Sequence, residues 1–177
     1  MSYEIMTQLP RAPLARRVAA FCIDAGAIWL LSAPLSNNWF LGTLFFIAFW
    51  LAIRVLLVAK NQGQSLGRWA LNLKVWDPRY QRTPGIVELS KREGLLAVAA
   101  VLAVRGISGL TSGNAAVLLL FLPLFLDWVV ALVDTERYQQ AFHDQVSKTL
   151  VIGAMRGYSL DLKVRWLIDK ARSYMRR

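Results

Sequence analysis

The sequence predicts an all-α integral membrane protein: four transmembrane helices forming two antiparallel hairpins, a cytoplasmic loop over residues 60–93 and an amphipathic C-terminal helix. Three observations predict it. Apolar residues make up 56% of the 177 and charged residues only 18%, a balance unusual for a soluble domain. The apolar residues come in blocks long enough to cross about 30 Å of hydrocarbon. The net charge of +10 is confined to segments flanking those blocks: residues 1–17 carry +2, residues 60–93 +4 and residues 134–177 +4, while Asp24, Arg54, Arg105 and Asp127 cancel in between. Such segments belong beside the anionic lipids of an inner face, so both termini and the 60–93 loop are expected in the cytoplasm. Without a recognisable binding motif among its basic residues, the chain is not expected to bind nucleic acid.

Residues 1–13, broken by Pro10 and Pro13, read as a cytoplasmic arm. The first helix is expected over about 14–35, and Asp24 within it and Pro34 beyond Ser32-Ala33 argue against a cleaved signal peptide. Cys22 lies in this apolar run as a core or lipid-facing residue, with no redox chemistry implied. The uncharged turn Ser36-Asn37-Asn38 leads to a second helix over about 39–59, interrupted only by Arg54. Ser65 can cap a short turn running to Trp69, and Leu71, Leu73 and Val75 then alternate with polar neighbours at the period of a strand. Thr83-Pro84 suits a helix start in water. That helix continues into a third span over about 94–110, with Arg105 near the far interface, where it can snorkel. A fourth helix follows Thr111-Ser112-Gly113-Asn114 over about 115–133, and Pro123 should kink it or free a carbonyl. Beyond residue 153 the chain reads as a basic amphipathic tail suited to an anionic membrane surface.

A charged side chain inside a bilayer needs a partner or a watery cavity. Asp24 lies seven residues past Arg17, Arg54 six before Lys60 and Asp127 seven before Asp134, so at 1.5 Å per residue all three sit about 9–11 Å deep. We therefore expect an Asp24–Arg54–Asp127 cluster facing the bundle interior, with Arg17 at the interface two turns outside it. Such a cluster can hold helices in register or form part of an ion or proton pathway, and the sequence leaves both open. His143 is the only histidine, which leaves little material for a metal site or a catalytic triad. No enzyme activity, metal or cofactor is expected.

The chain resembles the RDD family of small bacterial membrane proteins over residues 14–152. Arg16-Arg17-Val18-Ala19-Ala20-Phe21-Cys22-Ile23-Asp24 resembles the family's first helix, Gln64-Ser65-Leu66-Gly67-Arg68 with Leu73-Lys74-Val75-Trp76-Asp77 its loop, and His143-Asp144 followed by Thr149 its terminal motif. The resemblance implies Arg17, Asp24 and Asp144 as signature residues, with Asp127 the other contender for the second aspartate and Arg16, Arg105, His143 and Thr149 secondary. It also implies a location in a bacterial cytoplasmic or other internal membrane and, for some members, cation/proton exchange. The fourth span and the basic tail depart from the family pattern. A chain this small would need a homo-oligomer or other membrane subunits to enclose a pathway, and an accessory role in a larger complex is the alternative function.

Overall fold

The computed structural model describes residues 10, 12–35, 38–110, 113, 115–134 and 139–154. Most of the expected N-terminal arm, and the tail from residue 155 onward, lie outside the described residues. Four helical stretches, Leu14–Leu35, Trp39–Lys60, Ile86–Leu110 and Ala115–Val133, are long and apolar enough to cross a membrane. The protein is thus a multi-pass helical membrane protein. Its helices bury small residues where they approach one another and turn Leu30, Phe40, Val98, Leu119 and Phe125 outward, as a lipid-facing surface requires.

Helix α1 (Leu14–Ser32) starts directly after Pro13 and ends in a 3₁₀ turn. Helix α2 (Trp39–Leu51) is capped by Asn38, whose side chain accepts a hydrogen bond from the Leu41 N–H at 2.9 Å. A π-helical turn, Ala52–Leu56, then leads to α3 (Leu57–Lys60). A π turn takes in an extra residue and changes the direction in which the following side chains point. Here it turns two consecutive residues, Arg54 and Val55, inward.

The loop between the second and third spans folds back onto the charged end of the bundle. Ser65 caps α4 (Leu66–Ala70) by accepting from the Arg68 N–H, and β1 (Leu73–Trp76) follows with Leu73 and Val75 buried. Its partner is β2 (Leu150–Gly153), antiparallel, with Val75 opposite Val151. The Pro10 carbonyl accepts from Gly153 N–H, and Asn72 from Ala154, so the start of α1, the loop and the end of the described chain meet at one end. The second strand has no clear alternation, which hid it at the level of sequence.

Helix α5 (Ile86–Leu110) is the longest and runs from this cap through the bundle. The fourth span begins as a 3₁₀ helix, Ala115–Phe121, and becomes α6 (Leu122–Val133) with Pro123 in its first turn. Proline is tolerated there because that N–H has no intrahelical partner. The expected kink is therefore replaced by a change of helix type just before the proline. Helix α7 (Phe142–Ser147) completes the cap.

Three apolar cores result, one of them formed by Val55, Val58, Val75 and Leu89. Ile28, Phe46, Trp50, Leu96, Ala97 and Ala100 fill the bundle, while Ala12, Ala20, Leu71, Leu73 and Val151 sit beneath the cap. The cap lies backbone to backbone on α1: a Cβ at Gly67 would stand 2.1 Å from the Ala20 carbonyl oxygen. We expect Gly67→Ala to cost about 1–3 kcal/mol of stability through forced separation of α4 from α1. Gly94→Ala, where an added Cβ meets nothing within 4 Å, should leave the melting temperature in detergent unchanged or raise it.

Candidate functional site

Where the cap meets the bundle, four arginines and four carboxylates are buried together: Arg17, Arg54, Arg68 and Arg92 with Asp24, Glu93, Asp127 and Asp144. Helix α1 supplies Arg17 and Asp24, the π turn Arg54, α4 Arg68, α5 Arg92 and Glu93, α6 Asp127 and α7 Asp144. In so apolar a setting a buried charge is tolerated only when it is paired and hydrogen-bonded.

Asp24 is fully buried and accepts three hydrogen bonds, from Arg54 Nη1 at 2.7 Å, Ser65 Oγ at 2.6 Å and the Gly67 N–H at 2.7 Å. Gly67 is what lets the backbone of α4 come close enough to donate. Arg54 turns its other edge to Glu93, with Nε 2.6 Å from Oε2, and its guanidinium lies over the rings of Trp50 and Phe21, 5.0 and 5.5 Å from their centroids. Glu93 also receives Arg68 Nη2 at 2.7 Å and lies 3.2 Å from Arg92 Nε. One carboxylate thus gathers three arginines from three elements.

A second half is built on Asp144. It pairs with Arg17 across the cap, and with Arg92 Nη1 at 2.9 Å. His143 follows: Nδ1 lies 2.7 Å from Asp127 Oδ2, and the backbone N–H of His143 donates to Asp127 Oδ1 at 2.9 Å. Its Nε2 lies 3.2 Å from Arg92 Nη2 and 3.3 Å from Asp144 Oδ1. Thr149 accepts from Arg92 Nη1. Arg92, next to Glu93 in the chain, joins the two halves.

The pairing of Asp24 with Arg54 is present, but the expected third member is replaced. The second carboxylate on Arg54 is Glu93, and Asp127 instead meets His143. Depth along a helix fixes a level and not an angle around the axis, and α6 directs Asp127 toward α7. Arg17 is also not an interface marker, because its side chain is buried and held by Asp144. Arg16 is half-buried just outside the network. Arg105 lies at the opposite end of the bundle, bonded to Thr43 and the Trp39 carbonyl. Sequence reasoning missed Arg68, Arg92 and Glu93, although the pattern of Ser65 and Gly67 ahead of Arg68 marked part of the site.

Burial alone would raise the carboxyl of Asp144, yet the guanidinium charges of Arg92 and Arg17, with a hydrogen bond to His143, hold it well below the usual carboxylate range. Arg68 is pushed down to about 10 by burial first and then by the neighbouring cation of Arg54, with Glu93 opposing. Among the described residues no group of three or more His, Cys, Asp or Glu has the arrangement of a metal site.

The fold and this network define a class: a multi-pass helical membrane protein whose loop and C-terminal segment seal a layer of ion pairs at one end of the bundle. A family model described as the RDD family matches residues 11–148, and the chain belongs to that family. Neither the curated proteins nor the solved structures contain a match to it.

Two outcomes test the network. Glu93→Gln leaves three buried arginines short of one counter-charge and should cost about 3–5 kcal/mol, read as a fall in melting temperature, whereas Glu88→Gln on the same helix should have little effect. For Asp144 the folded-state pKa is depressed, so its contribution is complete above the ordinary carboxylate pKa of about 4 and is lost as pH falls below that toward the folded value. Stability of the wild type should therefore decline below about pH 4 more steeply than that of Asp144→Asn, which lacks the contribution at every pH.

Proposed function

We propose that the protein is a transporter-like carrier, with both termini and the 60–93 loop in the cytoplasm, that exchanges protons through the Asp127–His143 pair. The observation that supports this is the position of Asp127 between two environments. It lines an apolar groove of about 470 Å³ on the flank of the bundle, with Leu95, Val98, Pro123, Leu126 and Phe142. On its other side it bonds to His143, which faces the interior.

Imidazole is the side chain suited to change charge near neutral pH, and His143 has partners for either state. With a proton on Nδ1 donated to Asp127, Nε2 can accept from Arg92. With both nitrogens protonated, Nε2 can turn its proton to Asp144 Oδ1. A proton that enters the ring at Nε2 can thus be matched by loss of the Nδ1 proton to the Asp127 carboxylate, which lines the groove. Cation/proton exchange, implied for some members of the family, is the reaction class such a pair would serve, with Asp24 and Arg54 as the fixed charges that hold the helices around it.

In proteoliposomes loaded with a pH-sensitive dye, His143→Gln should reduce proton movement driven by a sodium or potassium gradient at least about tenfold while the protein still melts cooperatively. An unchanged flux in the folded variant would remove the pair from the mechanism.

A further inference from the structure

Between the cap and the bundle lies a cavity of about 20 Å³, lined by Arg17, Arg54, Arg68, Arg92 and His143 together with apolar side chains including Phe21, Trp128 and Val151. No carboxylate is part of the lining. Three of these arginines carry buried nitrogens with no hydrogen-bond acceptor among the described residues, Arg17 Nε, Arg68 Nη1 and Arg92 Nε. The last has only the off-angle approach of Glu93 at 3.2 Å. Buried donors in native proteins are nearly always satisfied. Four cationic side chains around a small space, three of them with spare donors, call for a negative occupant.

We propose that this cavity is a binding site for a single monatomic anion, a chloride-sized halide. Its volume exceeds the roughly 10–15 Å³ needed for one water-sized occupant and excludes phosphate or sulfate. The charge balance also says when it fills. Four buried arginines match Asp24, Glu93, Asp127 and Asp144 when His143 is neutral, so an anion then adds an uncompensated charge. Protonation of His143, which faces Asp127 on α6, Arg92 on α5 and Asp144 on α7, supplies the missing positive charge. Halide uptake and protonation of His143 are therefore thermodynamically linked, each favouring the other to the same degree. This inference does not rest on the carrier reading, because it concerns equilibrium binding and holds whether or not the protein moves ions.

The test is thermal unfolding of the purified full-length protein in detergent, with sodium gluconate replaced by sodium chloride or bromide at constant ionic strength. A saturable rise of about 5–10 °C is expected at ~100-fold excess over the dissociation constant, larger as pH is lowered, with sulfate no better than gluconate. Val151→Phe, which fills the cavity and keeps every charge, should abolish the response. If that variant does not fold, bromide anomalous scattering from crystals of the wild type decides, with a peak expected between Arg68, Arg92 and His143. Equal melting temperatures in gluconate and chloride, or bromide density absent from the cavity, would overturn the proposal and leave water as the occupant. A halide response that persists in folded Val151→Phe would place the anion elsewhere and overturn it equally.

Discussion

The structure depends on the cost of removing charge from water. Four guanidinium groups and four carboxylates sit among apolar helices, and any one of them alone would favour unfolding by several kcal/mol. Their survival requires that each find its partners at once. This makes the network a strict geometric condition: α1, the π turn, α4, α5, α6 and α7 must all be in place for any of the charges to be tolerated. Lipid supplies little hydrophobic drive for helices to associate with one another, so a demand of this kind can fix which helix meets which.

The division of labour among the residues follows from that condition. Glu93 and Asp144 act as the two junctions, and Arg92 joins them. Asp24 is held by a hydroxyl and a backbone N–H as well as by an arginine, which makes it a fixed anchor. The Asp127–His143 pair is different. It sits at the edge of the network, touches an apolar groove and pairs an acid with an imidazole instead of an arginine. The centre and the margin are parts of one structure that differ in how many partners hold each carboxylate.

Much of the fold was legible in the sequence because a bilayer imposes length and charge rules that a soluble core does not. The four spans follow from such rules, the cap at Ser65 from its hydroxyl and the strand at Leu73 to Trp76 from its period-two alternation. Asp24 and Arg54 stood out because a charge within an apolar run has no ordinary explanation. Arg92 and Glu93 did not, since they lie in a polar stretch with Lys91 and resemble solvated residues until the cap is seen to cover them. Arg68 was obscured in the same way by the polar loop around it. Asp127 was assigned the right depth and the wrong neighbour, because residue spacing measures distance along a helix and says nothing about what stands beside it. The partner strand at Leu150 to Gly153 depended on a contact across more than seventy residues, which local periodicity cannot report.

That long-range pairing has a consequence for how the chain is made. A ribosome delivers Arg17 first and Asp144 more than a hundred residues later, with β2 after it. During synthesis Arg17, the first arginine of the network, must wait, hydrated at the membrane surface, while Asp24, Arg54 and Glu93 are inserted and meet. The seal over the bundle closes only when the last described segment arrives to pair with β1. The segment from Asp144 to Gly153 thus acts as the latch on helix α1, and a chain terminated before residue 144 would present Arg17 and Arg92 to the membrane without the Asp144 carboxylate.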